Sequence, residues 1–278
     1  MLFMRHKPYQ QTILLSLFAY VWYRFRNPLI TSCCETVQTY NHIPVRNKRL
    51  LNFSAGAGYW IYYLGIAKFI QQTYDLSETD FVGTSAGAFA SSVLAYNASV
   101  DTIIKLTLQH LERCRQNTFS VFGYWNISYS QAIIDGCRKL DVCPTRNHCN
   151  YIGVSRLTVF GFKKQYLDAG LSPESLATSL MVSCWIPFLT APLLQPLINI
   201  QNALYGDGFW TGRDKTKHER QLIIHPNKFR ILPLYTYWLW TDEAYNIRMF
   251  HLGYDDAKAN RRLFDDFFRV GNLRPLPC

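Results

Sequence analysis

The sequence predicts an α/β domain with a mostly parallel central sheet, and three observations carry that prediction. Two short apolar runs, Leu50-Leu-Asn-Phe-Ser54 and Asp80-Phe-Val82, each enter a glycine-rich turn and leave into an apolar segment of helical length. Successive strand-glycine-helix units are the pattern of parallel strands whose loops meet at one sheet edge. The chain has 278 residues, 49% of them hydrophobic, which is ample for one large core and excludes a disordered chain.

The net charge is +10, from 29 basic and 19 acidic residues, and the pI is about 9.2. Such a balance suits a nucleic acid or an anionic membrane. The basic residues are spread out and form neither a nucleic-acid motif nor an Arg-rich helix, so no nucleic-acid partner is expected. Arg5, Lys7, Arg24 and Arg26 all precede the first acidic residue, Glu35. Between them lies the apolar run Thr12 to Tyr23, about 18 Å long as a helix against a hydrocarbon core of about 30 Å. It is too short for an easy single pass and lacks a signal-cleavage site. We read residues 1–45 as a basic, apolar membrane-associating segment, an interfacial or signal anchor with Tyr20, Trp22 and Tyr23 at headgroup depth. A helix packed on its own domain is the alternative. Cys33-Cys34 would be open to acylation there. The expected location is a membrane or lipid-droplet surface facing the cytoplasm, and residues 46–278 form the globular domain.

The remaining cysteines include Cys137, Cys143 and Cys149 near His148. Their spacing lacks the paired C-x2-C of zinc sites, so they read as structural and no metal is expected. Of three glycosylation sequons, the one at Asn52 falls in an expected buried strand and is read as accidental.

Along the domain, Leu50–Ser54 is the first strand and Tyr59 to Ile70 a helix apolar nearly all round, hence buried. Between them Ala55-Gly56-Ala57-Gly58 makes a backbone nest able to hold an oxyanion or phosphate. A dinucleotide site would need a third glycine, which is missing. Gly83-Thr-Ser85-Ala-Gly87 follows the second strand. This G-x-S-x-G spacing places Ser85 on a strained strand-to-helix elbow, and the flanking glycines let neighbouring backbone pass close. Asp101 to Arg113 has helical periodicity, with Ser99 or Asp101 able to cap it. Val154 to Phe160 reads as a strand. A helix opens at Ser172-Pro173 and runs to Val182-Ser-Cys-Trp-Ile-Pro187, where the proline ends it. Tyr205-Gly-Asp207-Gly208-Phe209 is a polar loop between apolar runs, for which a simple turn is the plain alternative. Gln221–His225 and Phe229–Leu232 are further strands, the aromatic run Tyr235 to Trp240 reads as core with membrane contact as the alternative, and the last helix spans about Asp255 to Phe268, starting with two aspartates that suit its dipole.

Gly56-Ala-Gly58, Gly83-Thr-Ser85-Ala-Gly87 and Asp207-Gly208, in that order, resemble the patatin-like phospholipase family from about Leu50 to the end. Ile61-Tyr-Tyr-Leu-Gly65, Ser183-Cys-Trp-Ile-Pro187 and His251-Leu-Gly-Tyr-Asp-Asp-Ala257 are similar to its adiponutrin and adipose triglyceride lipase branch. The resemblance implies a three-layer α/β/α sandwich and a Ser-Asp dyad cleaving lipid esters without a cofactor. Ser85 would be the nucleophile, Asp207 the general base, and the backbone around Gly56, Ala57 and Gly58 the oxyanion hole; Gly83 and Gly87 would frame the elbow and Gly208 the acid loop. Two departures stand out. The glycine loop continues into Tyr59-Trp60 and is one residue short, and Phe209, where the family has a small residue, is placed to press on the loop of Asp207. Two other readings remain open: a Ser-Asp-His triad drawing on His218, His225 or His251, and a membrane or lipid-droplet binding protein with an impaired site.

Overall fold

The computed structural model describes residues 37–44, 46, 48–116, 149–169, 172–186, 197–212, 220–233 and 242–269. The N-terminal segment, Cys137, Cys143, His148, His218 and the aromatic run 235–240 lie outside the described residues.

Eight strands form one sheet, and six helices accompany it among the described residues. The strands are β1 (Thr39–Tyr40), β2 (Arg49–Phe53), β3 (Thr79–Thr84), β4 (Asn150–Thr158), β5 (Gly161–Asp168), β6 (Ile198–Ile200), β7 (Ala203–Asp207) and β8 (Gln221–Ile224). The helices are α1 (Trp60–Thr73), α2 (Ala86–Ala95), α3 (Val100–Gln116), α4 (Pro173–Ser183), α5 (Glu243–Ala259) and α6 (Arg261–Phe268). Strands β8, β2, β3 and β4 run parallel through the centre. Antiparallel strands extend it: β5 and β1 lie beyond β4, and the β6–β7 hairpin joins β4 as well.

Every residue of β2 and β3 is buried, as expected of strands covered on both faces. Alternation sorts their side chains. Leu51, Phe53, Phe81, Ile152, Val154 and Leu167 join the main core with the helices, whereas Leu50, Val82, Tyr151 and Tyr166 form a smaller cluster with Ile43. Helix α1 is buried nearly all round because it packs between α5 on one side and α2 and α3 on the others. A Cβ on Gly65 would stand 2.0 Å from the Phe250 carbonyl, and one on Gly253 2.0 Å from that of Tyr62, so the two backbones cross at a pair of glycines. The same crossing is fastened by Asp256, buried in α5, which accepts hydrogen bonds from Tyr62 (2.7 Å) and from the Arg230 guanidinium.

Four expectations need correction. The antiparallel strands β1, β5, β6 and β7 were not anticipated from the sequence. Phe229–Leu232 is no strand: Arg230 leaves the sheet edge to pair with Asp256, and Ile231 is exposed. The last helix is two helices broken at Asn260, so Asp255 and Asp256 lie near the end of α5 and not at a helix start. Helix α4 stops at Ser183, ahead of Pro187, because the chain turns there and gives the Trp185 carbonyl to the amide of Asp207 (3.1 Å). Its start is as expected: Ser172 caps Ser175 N, with Pro173 in the first turn. Asn52 is buried in β2, as read.

Candidate active site

Strand β4 sets the geometry. Along one edge its first half pairs with β3, ending at Gly153 opposite Thr84. Its second half pairs on that edge with β7, which runs the other way and ends at Asp207 opposite Val154. The C-terminal ends of β3 and β7 therefore meet head-on, one residue apart along β4. Ser85 is the first residue past β3. Asp207 shares the face of Val154, the side on which α2 packs.

The side chains meet accordingly. Ser85 Oγ donates to Asp207 Oδ2 at 2.8 Å, directly, with no imidazole between them. Ser85 has φ 53° and ψ −125°, a left-handed conformation rare for a residue with a side chain, and it begins α2. The flanking glycines are needed for space and not for their own dihedral angles. A Cβ on Gly83 would lie 2.2 Å from Ser91 Oγ, and one on Gly87 2.2 Å from the Phe53 carbonyl.

Four residues that the motifs did not name complete the setting. Ser183 Oγ accepts from the Ser85 amide (2.8 Å) and donates to the Gly153 carbonyl (2.7 Å), tying the elbow to β4. Its only signal was its place in the Ser183-Cys-Trp-Ile-Pro187 echo. Lys164, reaching across from β5, donates to Thr84 Oγ1 (3.3 Å) and to the Gly208 carbonyl (3.1 Å). Gly153 gives it room, since a Cβ there would stand 2.4 Å from Thr84 Oγ1 and 3.1 Å from Lys164 Cε. Nothing in the sequence marked either residue. The thiol of Cys184, buried beside Ser85, is raised by burial and by the nearby Asp207 charge, so it stays neutral.

Asp207 is fully buried, and burial pushes its pKa up to about 7 against the pull of the Phe209 amide, the Ser85 hydroxyl and the Lys164 charge. The Phe209 amide donates to Asp207 Oδ1 at 2.6 Å. The ring of Phe209 is 65% exposed and does not press on the loop, contrary to expectation. Gly208 is required by contact, since a Cβ would lie 2.4 Å from the Gly153 carbonyl.

Gly56, Ala57 and Gly58 follow β2, the parallel neighbour of β3, so their loop stands at the same sheet edge. Gly87 packs against its first residues, the carbonyls of Phe53 and Ser54. Ala57 has φ 45°, a second left-handed residue, and Ala57–Tyr59 is a 3₁₀ turn leading into α1. The first amides of such a helical run have no partner within it. Of the histidines, His251 is exposed on α5 with its ring against Phe250. Beside α2 a small pocket, part of it open to solvent, is lined mainly by apolar side chains, including Trp60, Phe89, Val93 and Leu180. No helix among the described residues is long and apolar enough to cross a membrane.

No family model matches the sequence, and no curated protein matches it. Among solved structures, the crystal structure of VipD from Legionella pneumophila aligns with 14% identity and a TM-score of 0.38 over 65% of this chain. The aligned region spans half of that chain.

Proposed function

We propose that the protein is a lipid acyl hydrolase of patatin-like type, built as a three-layer α/β/α sandwich. It cleaves carboxylic esters with Ser85 and Asp207 through an acyl-enzyme. The observation that carries this reading is the direct 2.8 Å bond from the strained serine to a buried carboxylate. A serine hydroxyl is a weak nucleophile until a base takes its proton, and a carboxylate raised to about 7 is a far better base near neutral pH than an ordinary one.

In the acylation step Ser85 Oγ attacks the ester carbonyl carbon while its proton passes to Asp207. The tetrahedral oxyanion is held by amides of the Gly56-Ala57-Gly58 loop, each donor worth about 3 kcal/mol where such donors have been removed in other enzymes. Collapse breaks the bond to the leaving alcohol, which takes the proton from Asp207. Water then attacks the acyl-enzyme by the same route, its proton going to Asp207 and on to Ser85. Phe89, one helical turn beyond Ser85, lines a small apolar pocket beside α2, a lining that suits an acyl chain better than a polar acid once the pocket opens.

The test is reaction with a fluorophosphonate probe together with hydrolysis of a phospholipid and acylglycerol panel. Ser85 is expected to take up the probe and Ser85→Ala to lose both labelling and turnover while folding normally. A folded wild-type protein that neither labels nor hydrolyses any ester of the panel would favour the impaired binding protein.

A further inference from the structure

The sheet edge that carries Asp207 continues into a feature that ester chemistry does not use. Strands β4 and β5 form a hairpin whose last partner in β7 is Tyr205, opposite Arg156. Three more residues, at about 3.3 Å each, carry the tip roughly 10 Å past that pairing. Its turn is closed locally, with Thr158 Oγ1 donating to the Gly161 carbonyl (2.7 Å) and accepting from the Phe160 amide (3.3 Å). Such turns are ordinarily built from Gly, Asn, Asp or Ser. Here the two central residues are Val159 and Phe160, 93% and 98% exposed. Neither packs into the fold, so folding does not explain them.

The apolar surface runs from this tip to the turn that follows Asp207. Leu157 and Phe162 face each other across the hairpin, both partly exposed, and Phe162 stacks on Trp210 with ring centroids 6.1 Å apart. Trp210 and the exposed Phe209 belong to the turn directly after Asp207. On the other face of the hairpin Arg156 and Lys163 stand directly opposite each other and exposed, a like-charge pair that destabilises an antiparallel ladder. No acidic residue occurs from Asn150 to Leu167.

We propose that this hairpin, together with Phe209 and Trp210, is a docking surface for an anionic lipid bilayer. Val159 and Phe160, exposed at the tip, supply the apolar side chains that enter the headgroup and acyl boundary, where apolar faces sit about 5–10 Å deep. Anionic headgroups neutralise the Arg156 and Lys163 pair, which no described acid offsets. This surface is built from residues of the globular domain and ends at the turn after Asp207. Only the further step, delivery of an ester to Ser85, rests on the proposed hydrolase function.

The test is sedimentation of the full-length chain with vesicles of phosphatidylcholine alone and of phosphatidylcholine with phosphatidylglycerol, in a Ser85→Ala background so that no lipid is consumed. Val159→Asp with Phe160→Asp is expected to weaken binding to both vesicles at least tenfold. Arg156→Gln with Lys163→Gln is expected to weaken binding to anionic vesicles alone, about fivefold per charge removed. Circular dichroism and turnover of a water-soluble ester, measured with Ser85 restored, should be unchanged, since these side chains are exposed. If both double variants bind the vesicles as their parent does, the surface is not a lipid face, and a protein partner is the better occupant. Because binding is read without catalysis, a failed hydrolase assay leaves this result standing, and a failed binding result leaves the hydrolase reading intact.

Discussion

Replacing Asp207 with asparagine should abolish turnover and yet make the protein more stable at alkaline pH. Asparagine keeps the shape, its carbonyl can accept from the Phe209 amide, and its amide can donate to Ser85 Oγ, so the packing is preserved. What it removes is a buried charge. The carboxyl moves from an ordinary value of 3.8 in the unfolded chain to about 7 in the fold. A shift of about three units corresponds to roughly 4 kcal/mol at about 1.36 kcal/mol per unit. The sign follows from proton uptake: between pH 4 and 7 the folded protein holds a proton that the unfolded chain has released, so raising the pH favours unfolding. Below pH 4 both states are protonated and the wild-type protein carries no penalty. Above pH 7 the penalty is complete. The variant has none, and Cys184, whose thiol feels the Asp207 charge, stays neutral over this pH range in both proteins, so the difference between them reports on Asp207. Urea unfolding at pH 4, 6 and 8 should show the two proteins close together at pH 4 and the variant ahead by a few kcal/mol at pH 8. A difference independent of pH, or a wild-type protein that gains on the variant as pH rises, would refute the claim that burial governs this carboxylate.

Three further outcomes are expected. Activity of the wild-type enzyme should rise with pH around a midpoint near 7, where Asp207 ionises, and Lys164→Met should move that midpoint upward because it removes a charge that favours the ionised form; pH profiles of kcat/KM on a soluble ester check this, with Lys164→Arg restoring the wild-type profile. Gly208→Ala should destabilise the fold by about 1–3 kcal/mol and reduce turnover, since its Cβ meets the Gly153 carbonyl and Thr84 Cγ2; urea midpoints and steady-state rates measure both. Arg230→Ala should destabilise by about 3 kcal/mol with the dyad untouched, because it leaves the buried Asp256 with the Tyr62 hydroxyl as its described side-chain partner, and a Tm drop without a change in pH profile is the expected signature.

The parallel half of the sheet and both partners of the Ser85–Asp207 hydrogen bond were legible in the sequence because their constraints are local. A strand that must turn sharply into a helix needs glycines at fixed offsets, and Gly83 and Gly87 show those offsets without reference to the rest of the fold. The antiparallel half was not legible. The outer part of β5, Gly161-Phe-Lys-Lys164, is exposed or half-exposed and carries no buried-strand pattern, and β7 ends in a Gly-Asp-Gly run that reads as a turn. Lys164 was invisible for a different reason. Its role depends on its register against Ser155 and on the missing side chain of Gly153, both products of pairing. The break at Asn260 was missed although its cause is local: the Asn260 side-chain amide donates to the Asp256 carbonyl at 2.8 Å and ends α5 there.

Two of the five non-glycine residues with positive φ among the described residues, and a fully buried carboxylate, gather at one place, while Asn97, Gln201 and Asn202 sit in ordinary turns elsewhere. Ser85 and Ala57 are both non-glycine residues in left-handed backbone, and they occupy the loops after two adjacent parallel strands. Asp207, a carboxylate with no solvent exposure, ends a third strand at the same edge. Each strained residue costs about 1–3 kcal/mol, and nothing in the packing of the core calls for any of the three. Folding alone would relax them: a glycine at 85, an uncharged residue at 207. They persist because β4 fixes β3 and β7 end to end, so that the elbow and the acid are held whatever their local preferences. A one-residue slip of β7 along β4 would turn Asp207 to the opposite face, away from α2 and from Ser85. The site therefore depends on strand register more than on any contact between its own side chains, which is why a hydrogen bond between residues so far apart in sequence can be set to 2.8 Å in a pocket that neither residue stabilises.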